Sequence, residues 1–171
     1  MTAGPTRSRP DAIVTLPRAY LLMSLLLLAQ FVLGMAVNLF VTIPADHPGG
    51  HPSNYFTGSA QSIGWAIPRG GVWLAAHVSL GLALVLGGIV TIILATRSGN
   101  RVATSTSVLG GAAILGAAFN GTSFLDFNQD YSSMIMAALF AVAVGSYVVG
   151  LATHSMRRTR TATSDIASRR P

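Results

Sequence analysis

Whatever chemistry this chain performs rests on a few polar side chains set among apolar neighbours: Gln30, Asn38, His77, Asn120, Ser123 and Asp126. Hydrocarbon offers no water to pair a buried amide or imidazole, so each group needs a protein partner and is expected to turn toward neighbouring helices. Their spacing agrees. Gln30, Gly34 and Asn38 recur at every fourth residue, as do Ala112, Gly116 and Asn120 with Ser123 following, while His77 and Gly81 share a second face with Gly88 and Ser133, Ala137 and Ala141 a third. Residues three or four apart lie on one helix face, so four small and polar stripes are predicted, each able to meet another helix closely. Such contacts are worth only about 0.6–2 kcal/mol apiece if they merely join helices. The functional alternative is a polar pocket for a small ligand, a proton or a cofactor, in which His77 is the only side chain of the apolar runs whose type titrates near neutral pH.

Two metal chemistries can be weighed on the same residues. A haem iron takes His or Met axial ligands, and His77 has Met35, Met134 and Met136 at similar depth but no second histidine in the apolar runs. In the outer segment, His47 and His51 lie beside Asp46 within His47-Pro48-Gly49-Gly50-His51-Pro52. Two imidazoles and a carboxylate on a flexible loop make a weak transition-metal site unless His77 or Asp126 completes it. The plainer readings are packing for the methionines and a surface loop for His47 and His51. With Cys 0 in the composition, thiolate metal sites, disulfides and cysteine nucleophiles are excluded. No phosphate loop, zincin or hydrolase signature occurs.

The elements that position these residues follow from composition. Of 171 residues, 51% are hydrophobic and 9% charged, with a mean hydropathy of +0.56. That is too apolar for an ordinary soluble domain. A bilayer-spanning helix needs roughly 20 apolar residues, and four such runs are predicted over about 20–43, 72–96, 102–124 and 132–153. The fold class expected is all-α, an integral membrane up-down bundle of four helices over residues 18–155, because the links 97–101 and 125–131 are short enough to make consecutive helices antiparallel neighbours. Residues 1–17, with three prolines, are expected to form a flexible cytoplasmic arm and 156–171 a basic cytoplasmic tail. The first run is too long for a secretory signal, so an uncleaved helix is predicted. Segment 44–70 is the one long loop. Within it Phe56, Ala60, Ile63 and Ile67 fall on one helical face, so residues 53–67 are either a short interfacial helix or an irregular loop on the mouth of the bundle.

Arginine placement orients the chain. Ten of the 11 basic residues lie in the N-terminal arm, the 97–101 link or the tail, and only Arg69 on the other face. The positive-inside rule then places both termini in the cytoplasm and the 44–70 loop outside, in the plasma membrane. Counting ~1.5 Å per residue puts Asn38, His77 and Asn120 ~6–8 Å below the outer boundary, under an acidic rim of Asp126 and Asp130, with Gln30 near the midplane. Arginines confined to flanks and loops do not form a nucleic-acid surface. The partners expected are the lipid bilayer and either other membrane subunits or further copies of the chain.

The stretches 30–44 (QFVLGMAVNLFVTIP), 76–81 (AHVSLG) and 119–127 (FNGTSFLDF) resemble those of small four-span membrane proteins of actinobacteria that have no established activity. The resemblance covers about residues 18–155 and implies a fold and a location. The helix arrangement is also loosely similar to cytochrome-type bundles, which use paired histidines where this chain has His77 alone. The leading expectation is a non-enzymatic protein with a polar pocket open to the outside, acting as a small-ligand binder or accessory subunit. The alternatives are a haem- or quinone-linked redox protein using His77, and a small transporter or proton-linked channel lined by Gln30 and His77.

Overall fold

The computed structural model describes residues 11–127 and 131–168, with side chains over 16–127 and 131–156. The beginning of the arm, Asp130 of the expected acidic rim and the last three residues lie outside them. The described residues form five helices and no strand: α1 (Asp11–Phe40), α2 (Tyr55–Arg69), α3 (Gly71–Arg97), α4 (Arg101–Phe127) and α5 (Tyr131–Ser168). Four of them are long and apolar enough to cross a membrane, over Leu16–Phe40, Gly71–Arg97, Arg101–Phe127 and Tyr131–Met156.

The helix ends have local causes. α1 stops at Phe40 because the β-branched run Val41-Thr42-Ile43 leads into Pro44, which disfavours helical geometry before it. It also starts earlier than the apolar run, so the second half of the expected arm is helical. α5 continues past the apolar run to Ser168, through a tail free of glycine and proline. Asn54 caps α2, accepting from the Thr57 amide at 3.1 Å. Asn100 caps α4, accepting from Val102 N at 3.1 Å.

The surfaces of the long helices are apolar: Leu22, Val32, Leu39, Phe40, Val72 and Leu86 are all more than half exposed. A surface of that kind suits hydrocarbon, not water. Several hydroxyls inside the helices return to their own backbone, as in Ser24 to Tyr20 O (2.9 Å), Thr91 to Gly87 O (2.7 Å) and Ser146 to Val142 O (2.7 Å), which satisfies these three without water.

The four long helices close a ring of contacts in the order α1, α3, α4, α5 and back to α1. α2 lies across one end of it, packed on α3 and α4 only. The two ends of the ring are filled differently. At the end away from α2, Tyr20 and Tyr147 are fully buried with their rings 5.9 Å apart, among Leu16, Met23, Ala95 and Ala103. The Tyr20 hydroxyl crosses from α1 to α4, donating to Ala103 O at 2.9 Å and meeting Ser107 Oγ at 2.9 Å. The Tyr147 hydroxyl is buried with no partner among the described residues. An unpaired buried hydroxyl costs about 1–3 kcal/mol. Tyr147→Phe is therefore expected to raise thermal stability in detergent, and Tyr20→Phe to lower it by about 1 kcal/mol; equal losses from both would refute the assignment.

Candidate functional site

At the α2 end the ring parts around a cavity of about 230 Å³. Its floor is Leu27, Leu84, Ile114 and Ala143, which separate it from the tyrosine layer. The walls are Phe31, Met35, Leu82, Ala118, Leu139 and Phe140, and Ile63 of α2 reaches in from above. Polar residues are few: Gln30, Asn38, His77, Thr122 and Ser133. The expected polar pocket is thus an apolar chamber with a small polar patch.

That patch is built reciprocally by α1 and α3. Gln30 rests on Gly81 and His77 on Gly34: a Cβ added at Gly81 would come within 3.2 Å of Gln30 Nε2, and one at Gly34 within 3.1 Å of His77 Cε1. Each glycine removes the side chain that would keep the other helix's polar group away. Gln30 Nε2 donates to His77 O at 3.1 Å and lies 3.3 Å from His77 Nε2. A carbonyl only accepts, so the amide nitrogen must occupy this position, and the neighbouring ring nitrogen must accept from it. The ring hydrogen then sits on Nδ1. His77 Nδ1 and Gln30 Oε1 are left buried without partners, one a donor and the other an acceptor.

The remaining expected residues separate. Asn38 is exposed and lines the mouth of the chamber. Asn120 turns back on its own helix, donating to Gly116 O at 3.1 Å, and is not among the lining residues. Ser123 donates to the Tyr55 hydroxyl at 3.4 Å, which itself meets Thr122 Oγ1 at 2.6 Å. A second recess of about 420 Å³ adjoins the chamber, lined by Val37, Asn38, Val41, Thr42, Ile43, Phe124 and Ser133. Val37, Asn38, Phe124 and Ser133 line both.

No family model, curated protein or solved structure matches this chain. The geometry alone must therefore carry the functional reading.

Haem does not fit it. His77 Nε2 is held by Gln30, and the ring edge bearing Nδ1 lies against α1, where a Cβ at Gly34 would be 3.6 Å away. Neither nitrogen leaves space for a macrocycle. Met134 is 73% exposed on the outside of α5, and Met35, although it lines the chamber, is 45% exposed.

Asp126 is 1% exposed, and α2 holds it there. Ser62 donates to Oδ1 at 2.6 Å and Ser59 to Oδ2 at 3.2 Å. His47 reaches Ser62 Oγ through Nε2 at 3.3 Å and Pro44 O through Nδ1 at 2.8 Å. Its ring packs on Trp65 at 4.8 Å. The backbone follows, with His51 N donating to Asp126 O at 2.8 Å. Two serine hydroxyls thus supply the hydrogen bonds that the buried carboxyl oxygens need. Gly49 permits the approach. It has φ +95, and a Cβ there would collide with Ser62 and the Gly58 carbonyl.

Of the metal candidates, His47 is bonded at both nitrogens, and His51 sits edge-on to Phe127 at 6.4 Å. Among the described residues no three His, Cys, Asp or Glu side chains gather as a metal set. Sequence reasoning also missed Ser59 and Ser62. They lie three apart on the opposite face from the apolar stripe that drew attention to this segment. That stripe points away from the protein, with Phe56 73% and Ile67 41% exposed and Ile63 alone turned partly inward, while Gly58, Ser59, Ser62 and Ala66 are buried.

Proposed function

We propose that this protein is a plasma-membrane four-helix bundle, with both termini cytoplasmic and α2 on the outer face, that binds a small membrane-soluble molecule, alone or as an accessory subunit. The carrying observation is the asymmetry of its interior: closed at one end by Tyr20 and Tyr147, hollow at the other over an apolar chamber. A blind cavity supports a binder over a channel, because a path would have to pass the tyrosine layer. The arginine distribution supports the orientation. A quinone or quinol is one molecule of this kind, and the observation favouring it is that His77 and Gln30 both line an otherwise apolar chamber.

The test is native mass spectrometry of protein extracted from its own membrane, with Ala118→Leu as the variant that fills the chamber. The expected result is an added mass of one small molecule on the parent, reduced at least tenfold in the variant. Parent protein without any added mass, or an adduct indifferent to the substitution, overturns the proposal.

A further inference from the structure

We infer that the chamber and the recess form one site for an uncharged amphiphile drawn sideways from the lipid, its apolar body in the chamber and its hydrogen-bonding head in the recess. The inference rests on the binding role proposed above and adds the ligand's class and route.

Continuity comes first. Chamber and recess share Val37, Asn38, Phe124 and Ser133, so a molecule filling one borders the other. At about 230 and about 420 Å³ they jointly reach the size of ordinary small-molecule sites, ~300–1,000 Å³, which the chamber alone does not. Polarity then sets direction. The chamber lies toward the middle of the helices, and the recess lies where α1 gives way to Val41, Thr42 and Ile43. In a membrane that is the change from acyl chains to headgroups. Asn38, Thr42 and Ser133 bring an amide and two hydroxyls to this level, with no side-chain hydrogen bond to another described residue.

Charge narrows the class. No Arg, Lys, Asp or Glu lines either space among the described residues. A carboxylate or phosphate placed there would lack a counter-ion in a low-dielectric setting, at a cost that amides and hydroxyls do not offset. An alcohol, ester or carbonyl head suffers no such loss.

The route follows from the cover. α2 packs on α3 and α4, leaving the seam between α1 and α5 without it. Within the chamber's span that seam is closed by Phe31 and Phe140, stacked at 5.0 Å and 24°, with Phe31 44% exposed on the outer surface. Rotation of one exposed phenyl opens the wall toward lipid.

The experiment is photo-crosslinking in phosphatidylcholine nanodiscs with two probes of equal chain length, a diazirine-bearing monoacylglycerol and the corresponding fatty acid at alkaline pH. Adducts are mapped by peptide mass spectrometry on the parent, on Ala118→Leu and on an Asn38→Leu/Ser133→Leu pair. The expected result is monoacylglycerol adducts concentrated between Phe31 and Asn38 and between Ser133 and Phe140, at least tenfold above those of the fatty acid and at least tenfold lower in both variants. Equal labelling by both probes that Ala118→Leu abolishes would overturn the uncharged class yet leave the cavity a binding site. Adducts unaffected by Asn38→Leu/Ser133→Leu but lost in Ala118→Leu would remove the recess from the site. Labelling spread evenly over the outer faces of the four long helices in all proteins would sink both this inference and the binding role beneath it.

Discussion

Replacing Asp126 with Leu is expected to release α2 from the end of the helices. The carboxylate is the one group to which both buried serines of α2 donate, at 2.6 and 3.2 Å, and His47 reaches it through Ser62. Without it, Ser59 and Ser62 lose their acceptor, and His47 loses the group that orients Ser62. Leaving a buried donor without its acceptor costs about 1–3 kcal/mol, and here two hydroxyls lose theirs. The composition gives a clean reporter, since the chain has Cys 0. Ala66 is fully buried beneath α2, so an Ala66→Cys parent should resist a water-soluble maleimide. Adding Asp126→Leu is expected to accelerate its labelling in detergent roughly a hundredfold or more, the factor that a loss of about 3 kcal/mol implies. Asp126→Asn keeps one acceptor oxygen but sets an NH2 against a serine hydroxyl, and should fall between. Unchanged protection in Asp126→Leu would show that apolar contacts of Ala66, Leu74 and Leu125 hold α2 without the carboxylate.

The four long helices were legible because hydrocarbon imposes a simple rule on composition: a run of ~20 apolar residues is long enough to span, and the polar links between the runs mark their ends. Contact between Gln30 and His77 was not read: counting residues set His77 level with Asn38 and Asn120 and put Gln30 deeper, near the midplane, whereas the Gln30 amide reaches the His77 carbonyl at 3.1 Å. With three amides in the apolar runs, depth alone chose the wrong ones, although a glycine four residues after Gln30 and after His77 marks where the other helix comes close. Asn120 shows the limit of that logic. It sits on its predicted stripe, yet the Gly116 carbonyl one turn back satisfies its amide, so periodicity alone cannot tell an interhelical partner from an intrahelical one.

The underside of α2 was illegible for a different reason. In water, the apolar face of an amphipathic helix turns inward. Beside lipid that preference disappears, because acyl chains accommodate Phe56 and Ile67 as well as protein does. What then decides the facing is the set of groups that lipid cannot satisfy, here Ser59 and Ser62, which find Asp126 67 and 64 residues away in the chain. No local pattern announces that pairing. A pocket in this half was expected from the polar stripes, but its apolar lining was not, since it results from where the two tyrosines fill the ring and where nothing of similar size does.

That division of the interior leads to the second large effect, at Gly110. A Cβ built there would stand 2.9 Å from Tyr147 Cζ and 3.2 Å from Cε1 and Cε2, over the face of a ring that is fully buried. The ring cannot retreat: its hydroxyl lies on Gly88, 3.6 Å from where that residue's Cβ would stand, and Tyr20 flanks it at 5.9 Å. Tyr20 is pinned in turn, with a Cβ at Gly150 falling 2.9 Å from its Cε2 and Cζ. Gly110→Val is therefore expected to cost about 3 kcal/mol, the upper part of the range for overpacking, and to lower the melting temperature in detergent by roughly 6–12 °C. Tyr147→Leu alone should also destabilise, by emptying space beside Tyr20. Because valine at 110 would occupy the space that the phenol ring vacates, the pair together should lose less than the two losses added, by a coupling of about 1–3 kcal/mol. Strict additivity in that cycle would mean the backbones of α4 and α5 part to admit the valine. The tyrosine layer would then be soft, and the blind end of the chamber would no longer argue against a path through the protein.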